Sequence, residues 1–244
     1  MGADAPILIL QHIDCEPPAA YEDELLARGV ELHRVRLDEG DGLPDRRSFA
    51  GIVAMGGPMG TYDESAHPWL HAEKRFIADA VRADMPYWGV CLGAQLLAAS
   101  LGGPVTPGPA PEVGIAPVRL TDGAAHDPVF AAAPPVFDAL HWHGDTYELP
   151  PGAVRLASSA QYEQQAFVFR RAYGLQFHLE VTPALARQWI GVPVYADSLE
   201  QVMGAGASSV LLGQLDRASS GAIALARRLF GRWLGDVVGA GPPR

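Results

Sequence analysis

Short apolar segments alternate with longer helical ones over the first hundred residues, and this alternation restricts the possible folds most strongly. Four segments have the character of strands: PILILQHI (6–13), ELHRVRL (31–37), GIVAMGG (51–57) and PYWGVC (86–91). Three of the four are nearly continuous apolar runs, which are typical of parallel strands buried on both faces. Three intervening segments have helical character: 19–28, 67–84 and 95–101.

The order of these segments predicts an α/β fold, a three-layer, open, mostly parallel sheet with helices on both faces. From about 105 to 180, short apolar runs stand between Pro- and Gly-rich turns, and they predict a small antiparallel region at the sheet edge. Further helices are predicted at 184–190 and at about 222–238. The 244 residues contain no obvious linker, so we expect one domain over 1–244, with its core at about 6–190.

Charge and composition exclude several kinds of partner. The formal net charge is -10, which disfavours nucleic acid and anionic membrane surfaces, since both attract clustered Lys and Arg. No apolar run is long enough to span a bilayer, and the first residues lack the pattern of a secretory signal. The two cysteines, Cys15 and Cys91, do not form a disulfide scaffold in a chain of this length. We therefore expect free thiols and a cytoplasmic location.

One of the two cysteines stands where a predicted strand meets a predicted helix. In GVCLGAQLLAASLGG (89–103), Cys91 lies two residues from Gly89 and from Gly93. This G-x-C-x-G pattern fits a nucleophile elbow, a turn so tight that it requires glycines and exposes the nucleophile above the sheet. The helix N-terminus favours a thiolate there, and its N–H groups can hold an oxyanion. The alternative is a small buried cysteine that precedes a helix.

A base for this cysteine is available in YGLQFHLEVTP (173–183). His178 and Glu180 are two residues apart, so on a strand they share one face, and the carboxylate can orient the imidazole. The alternative is a surface His beside a surface Glu. A third segment, AMGGPMGTYDE (54–64), follows a predicted buried strand, and its Gly-Gly-Pro corner either presents backbone N–H groups or is only a turn.

GVCLGAQLLA, YGLQFHLE and GGPMG, in this order, resemble the class I, or triad, glutamine amidotransferases. The resemblance extends from about Pro6 to Trp189, and it is greatest to stand-alone members related to the glutaminase domain of GMP synthase. It implies a flavodoxin-like fold, with Cys91 as nucleophile, His178 as general base and acid, and Glu180 as its orienting partner. It also implies oxyanion N–H groups at Gly57 and Leu92, substrate-binding residues and a site rim. The substrate-binding residues would be Gly56, Met59, Gln95, Gln164, Ala166 and Phe167, and the rim residues His143 and Asp145.

The resemblance implies hydrolysis of the side-chain amide of glutamine through a γ-glutamyl thioester, with release of ammonia and without a cofactor. The ammonia would either be used by a separate synthase subunit or be released. Two alternatives stay open at this point. One is a stand-alone γ-glutamyl hydrolase or peptidase, and the other is a non-catalytic binding protein on the same fold.

Other polar residues near these motifs permit further interpretations. His141 and His143 share a strand face with Asp145 and could ligate zinc or iron, but we expect a polar rim there and predict no metal. Cys15 is predicted to be an inert thiol. His12 and Glu16 either reach the site mouth or belong to a capped loop.

Overall fold

The computed structural model of the protein describes residues 5–239, so the first four and last five residues of the predicted domain lie outside the described residues. Nine strands form one sheet in the order β2-β1-β3-β4-β9-β8-β7-β5-β6. The strands are β1 (Ile7–Gln11), β2 (Leu32–Arg36), β3 (Gly51–Ala54), β4 (Tyr87–Val90), β5 (Val105–Leu120), β6 (Val136–Tyr147), β7 (Val154–Ser158), β8 (Ala166–Phe169) and β9 (Ala172–Leu175). The helices are α1 (Ala20–Ala27), α2 (Trp69–Arg82), α3 (Leu92–Ser100), α4 (Pro183–Ile190), α5 (Pro193–Met203) and α6 (Ala207–Arg232).

Strands β2, β1, β3, β4 and β9 are parallel, and helices cover both faces of this half of the sheet. Alternate side chains of β1 enter two different hydrophobic clusters: Ile7 and Ile9 face α1 and α6, whereas Leu8 and Leu10 face α2 and α3. Burial on both faces explains why β1 is apolar at nearly every position. The predicted α/β architecture is confirmed.

The remaining strands pair antiparallel and form a larger part of the sheet than the small edge region expected from the sequence. Strand β5 has 16 residues and β6 has 12, and they pair along most of their length. The register between them shifts between Pro107 and Glu112. This irregularity lies beside the cleft described below.

Two helical features differ from the prediction. The C-terminal helix, expected at about 222–238, begins at Ala207, ends at Arg232 and is followed by a π-helical segment, Trp233–Val238. Helix α5 was not predicted, and it forms a third hydrophobic cluster with α4, β6 and the start of α6. No helix in the described part of the chain is both long and apolar enough to cross a membrane.

Candidate active site

Cys91 lies on the turn between β4 and α3, at the carboxyl edge of the parallel strands. Its backbone has φ 52° and ψ −107°, a conformation that costs a residue with a side chain on the order of 1–3 kcal/mol. A Cβ atom on Gly93 would lie 2.2 Å from the carbonyl oxygen of Ala54, and one on Gly89 would lie 2.5 Å from that of Gly93. The close approach of backbone to backbone therefore requires both glycines. This is the turn predicted from the sequence.

The sulfur of Cys91 has polar neighbours although only 8% of the residue is exposed. Gln176 Nε2 lies 3.6 Å from Sγ, and the carbonyl oxygen of Trp142 lies 4.0 Å from it. Gln176 in turn accepts a hydrogen bond of 3.1 Å from Gln95 Nε2. Gln176 was not singled out from the sequence, although it stands in the YGLQFHLE motif.

His178 Nδ1 lies 2.7 Å from Glu180 Oε1, and the second carboxylate oxygen accepts the N–H of Leu179 at 3.0 Å. Burial by itself lowers the pKa of His178, but the carboxylate of Glu180 and the neighbouring sulfur of Cys91 together raise it well above its ordinary value. The sequence predicted that His178 and Glu180 would meet on a strand, but the contact forms outside the strands. His178 follows β9 and pairs with Leu140 through an isolated bridge.

The predicted oxyanion donors are the backbone amides of Gly57, which lines the same cleft as Cys91, and of Leu92, which follows Cys91 in the chain. Within residues 5–239, neither amide donates to a backbone carbonyl. Leu92 is the first residue of α3, where N–H groups have no partner inside the helix. His12 Nδ1 lies 3.1 Å from the carbonyl oxygen of Gly56. The C=O and N–H of a trans peptide point in opposite directions, so this contact turns the Gly57 N–H away from His12.

His12 and Glu16 are buried beneath the turn at Gly56 and Gly57 rather than exposed at the site mouth. His12 Nε2 lies 2.9 Å from Glu73 Oε1, and both side chains are inaccessible to solvent. Burial lowers the pKa of His12, but the negative charge of Glu73 and its hydrogen bond raise it above its ordinary value. Glu16 accepts a hydrogen bond from the Tyr195 hydroxyl, and burial raises its pKa despite the opposing charge of His178.

A cleft of about 290 Å³ opens above Cys91. Several residues predicted for the site line it, namely Gly57, Met59, Gln95, Cys91, His143 and Asp145. Val194, Tyr195 and Ser198 of α5 form a wall that the sequence did not predict. The position of α5 is fixed in part by Trp142, whose Nε1 donates a 2.8 Å hydrogen bond to Ser198 Oγ.

Four residues predicted to bind substrate do not line this cleft, and the first of them, Gly56, is buried against Glu16. Ala166 and Phe167 are fully buried in β8, and the Phe167 ring packs 5.1 Å from the ring of Tyr147. Strand β8 pairs with β9 and β7 on both sides, so its side chains enter the core. Gln164 precedes β8 and is also absent from the cleft wall, whereas its neighbour Gln165 is fully buried against Glu112.

Glu112, His141 and His143 form a buried cluster at the side of the cleft, with ligand atoms within 4.8 Å of one another. The sequence had grouped the two histidines with Asp145. Instead, the backbone carbonyl of Asp145 accepts from His143 Nδ1 at 3.0 Å, and Glu112 occupies the position expected for the Asp145 carboxylate.

The sheet order and the cysteine turn define an α/β class of protein with a cysteine at the carboxyl edge of its parallel strands. The chain belongs to the glutamine amidotransferase class-I family, whose model matches residues 12–190. The predicted family is thus confirmed. Helices α5 and α6 lie entirely outside the matched segment.

Relatives include the glutamine amidotransferase-like protein YfeJ of Salmonella typhimurium, 32% identical over 176 residues, which cover 70% of this chain and 74% of that protein. The GMP synthase of Thermomicrobium roseum is 39% identical over 132 residues, but these span 54% of this chain and only 23% of that enzyme. A glutamine amidotransferase from Thermotoga maritima superposes with a TM-score of 0.85 at 30% identity, over 95% of this chain and 98% of its own. A glutamine amidotransferase from Methylobacillus flagellatus gives the same TM-score at 29% identity, over 96% of this chain and 95% of its own.

Proposed function

We propose that the protein hydrolyses the side-chain amide of glutamine, with Cys91 as nucleophile, His178 as general base and acid, and Glu180 as its orienting carboxylate. The observation that carries this proposal is the position of His178. Its Nδ1 is held 2.7 Å from Glu180, and the Cys91 sulfur is a second neighbour that raises its pKa. A nucleophile, a base and an orienting acid in contact are the components of covalent acyl transfer.

In the first half of the reaction, the thiolate of Cys91 attacks the amide carbon of glutamine, and a carbon–sulfur bond forms. The negative charge moves to the carbonyl oxygen, where the N–H groups of Gly57 and Leu92 can receive it. The imidazolium of His178 gives its proton to the amide nitrogen. The carbon–nitrogen bond then breaks, and ammonia leaves a γ-glutamyl thioester on Cys91.

In the second half, water attacks the thioester and gives its proton to the neutral imidazole of His178. The carbon–sulfur bond breaks, glutamate leaves, and the thiolate–imidazolium pair is restored. The sum is glutamine and water converted to glutamate and ammonia, and no cofactor enters the balance. The proposal places the reaction in the cytoplasm, where a thiol nucleophile stays reduced.

The relatives named as GMP synthases suggest that the ammonia has an acceptor. The homologous segment makes up 23% of the length of the Thermomicrobium roseum enzyme. We therefore infer a synthase as the recipient of the ammonia.

A γ-glutamyl hydrolase or peptidase is the second candidate, because the cleft continues outward past the sulfur. Its outer wall carries two half-exposed side chains, Tyr62 at 53% and Val194 at 50% exposure. An apolar wall at this place suits a leaving amine larger than ammonia.

The test is to incubate the purified protein with glutamine and, separately, with γ-glutamyl peptides, and to measure the ammonia or amine released. Cys91→Ala should abolish turnover and the γ-glutamyl adduct seen by mass spectrometry after acid quenching. Cys15→Ala is the matched control, since burial and the adjacent Glu16 raise the pKa of its thiol to about 11. Undiminished turnover in Cys91→Ala would contradict the nucleophile assignment.

A further inference from the structure

The buried cluster of Glu112, His141 and His143 lies beside the cysteine but takes no part in the proposed reaction. Glu112 belongs to β5, both histidines belong to β6, and the three residues are at most 8% exposed. The two histidines are two residues apart on one strand and therefore share a face. In the antiparallel pairing, Glu112 stands directly opposite His143, immediately after the register shift of β5.

The hydrogen bonds on the far side of each ring fix which nitrogen is the donor. His141 Nε2 lies 3.3 Å from the carbonyl oxygen of Ala116, and His143 Nδ1 lies 3.0 Å from that of Asp145. A carbonyl oxygen only accepts, so both of these nitrogens carry a hydrogen. In a neutral imidazole, the other nitrogen then presents a lone pair.

Both remaining nitrogens face one carboxylate oxygen. His141 Nδ1 lies 3.2 Å and His143 Nε2 lies 3.1 Å from Glu112 Oε2. Within the described part of the chain, His141 Nδ1 makes no hydrogen bond despite this distance. Three acceptors that converge in a buried place repel one another unless a proton or a metal cation lies between them.

A fourth group completes the set. Gln165 is fully buried; its Nε2 lies 2.6 Å from Glu112 Oε2, and its Oε1 has no partner among residues 5–239. A half-turn of the amide would exchange the two atoms and direct the oxygen to the cluster. Ser159 Oγ, 3.1 Å from Nε2, could then donate to the amide oxygen instead of accepting.

From this convergence we propose that Glu112, His141 and His143 bind one first-row divalent metal ion, with Zn²⁺ the best fit and Gln165 Oε1 the fourth ligand. Tetrahedral Zn²⁺ with bonds of about 2.0–2.2 Å separates neighbouring ligand atoms by about 3.3–3.5 Å. The observed 3.1 and 3.2 Å from Glu112 Oε2 to the two rings require shifts of only a few tenths of an ångström. All three ligand atoms lie within 4.8 Å of one another, and metal binding would draw the two ring nitrogens to the tetrahedral spacing. A metal-binding histidine usually donates a hydrogen bond from its other ring nitrogen, for example to a backbone carbonyl, as both rings do here.

The metal would be structural. It would join β5 to β6 at the register shift and so support the cleft wall formed by Pro111, His143 and Gly144. A site with four protein ligands leaves no open position for substrate, so the proposed hydrolysis does not depend on this assignment.

The test begins with protein stripped by a chelator and titrated with Zn²⁺ alone. We expect one equivalent to bind and the melting temperature to rise by about 5–10 °C at a hundredfold excess over Kd. Co²⁺ in place of Zn²⁺ should give the visible absorption of a tetrahedral nitrogen–oxygen site. Zinc binding should weaken at least a hundredfold in His141→Gln and in Glu112→Gln. His71→Gln and Glu163→Gln, two exposed residues, serve as matched controls.

Because the cluster is buried, a variant that does not fold would carry no information, so the stripped wild-type protein supplies a second measurement. Histidine nitrogen resonances recorded by NMR before and after zinc addition report on His141 and His143 directly. A zinc-induced shift of His141 Nδ1 and His143 Nε2 would support the site. Two doubly protonated rings that zinc does not affect, or an equal affinity in His141→Gln, would overturn it.

Discussion

His12 Nδ1 lies 3.1 Å from the carbonyl oxygen of Gly56, while its other ring nitrogen lies 2.9 Å from Glu73. This buried pair acts on the site through the backbone, because it fixes the peptide that joins Gly56 to Gly57. If the Gly57 N–H receives the developing oxyanion, as proposed, His12 is a positioning residue for that donor.

His12→Ala should therefore lower kcat while KM changes little. We expect a loss of about tenfold to a hundredfold, less than the roughly 10²–10³ that follows removal of one oxyanion donor. His12→Asn should restore part of kcat, since its amide can still donate to Gly56 while Glu73 stays unpaired in both variants. His71→Ala, an exposed substitution on α2, should leave kcat unchanged. Equal rates in His12→Asn and His12→Ala would contradict the positioning role.

The contact between His178 and Glu180 predicts a pH dependence. The pKa of His178 in the folded protein lies above the unfolded value of about 6.5. The protonated His178 therefore stabilises the folded protein fully below pH 6.5, and this contribution is lost as the pH rises through the folded-state pKa. Glu180→Gln removes the charge that raises this pKa but keeps the burial that lowers it, so the pKa of His178 should fall.

The pKa of His178 can be followed by NMR titration, and the free energy of unfolding can be measured across the same pH range. In Glu180→Gln, the decline of stability above pH 6.5 should shrink, and alkylation of Cys91 should slow. Glu163→Gln, with an exposed carboxylate, is the control. A His178 pKa that is unchanged in Glu180→Gln would refute the coupling.

The parallel half of the sheet and the cysteine turn could be predicted because their signals are local. The apolar run at β1 and the glycines on either side of Cys91 are direct consequences of burial on two faces and of close backbone approach. The elements at 191–221 gave no such signal. Helix α6 contains Gly213 and Gly221, and it is stabilised by packing against α1 and α4, which sequence spacing does not reveal.

Glu112 could not be assigned to the histidines for a similar reason. Its position opposite His143 follows from the β5–β6 register, which shifts between Pro107 and Glu112. Asp145 stood closer in sequence and had the spacing of a third ligand, but only its backbone carbonyl meets His143. The pairing of two strands separated by a long connection decides which carboxylate faces the rings.

The position of Val194 of helix α5 in the cleft wall predicts a limit on substrate size. Val194 is exposed at 50% and lines the cleft, while Val202 is exposed at 40% on the same helix but does not line it. Val194→Trp should raise KM for γ-glutamyl peptides by about tenfold, because the larger ring narrows the outer cleft. The rate of Cys91 alkylation by a small reagent should not change. Val202→Trp should leave both quantities as in the wild type, and an equal rise of KM in both variants would exclude this role of α5.

Substitutions of Gly93, in the turn at Cys91, and of Gly221, in α6, should have opposite effects on the melting temperature. Gly93→Ala places a Cβ 2.2 Å from the carbonyl oxygen of Ala54, and neither backbone can move freely. Overpacking of this kind costs about 1–3 kcal/mol or more, which corresponds to a melting temperature lower by about 2–12 °C. Displacement of the sulfur by about 1 Å should reduce turnover by roughly a hundredfold.

Gly221→Ala is the matched control, because Gly221 lies in α6 with no atom near its added Cβ. Alanine forms helix better than glycine by about 1 kcal/mol, so the melting temperature should rise by about 2–4 °C with turnover unchanged. Thermal unfolding and glutaminase assays on both variants measure the contrast. A Gly93→Ala protein that melts and turns over like the wild type would mean that the bend at Cys91 is not held by the contact with Ala54, and that the nucleophile does not depend on this close approach.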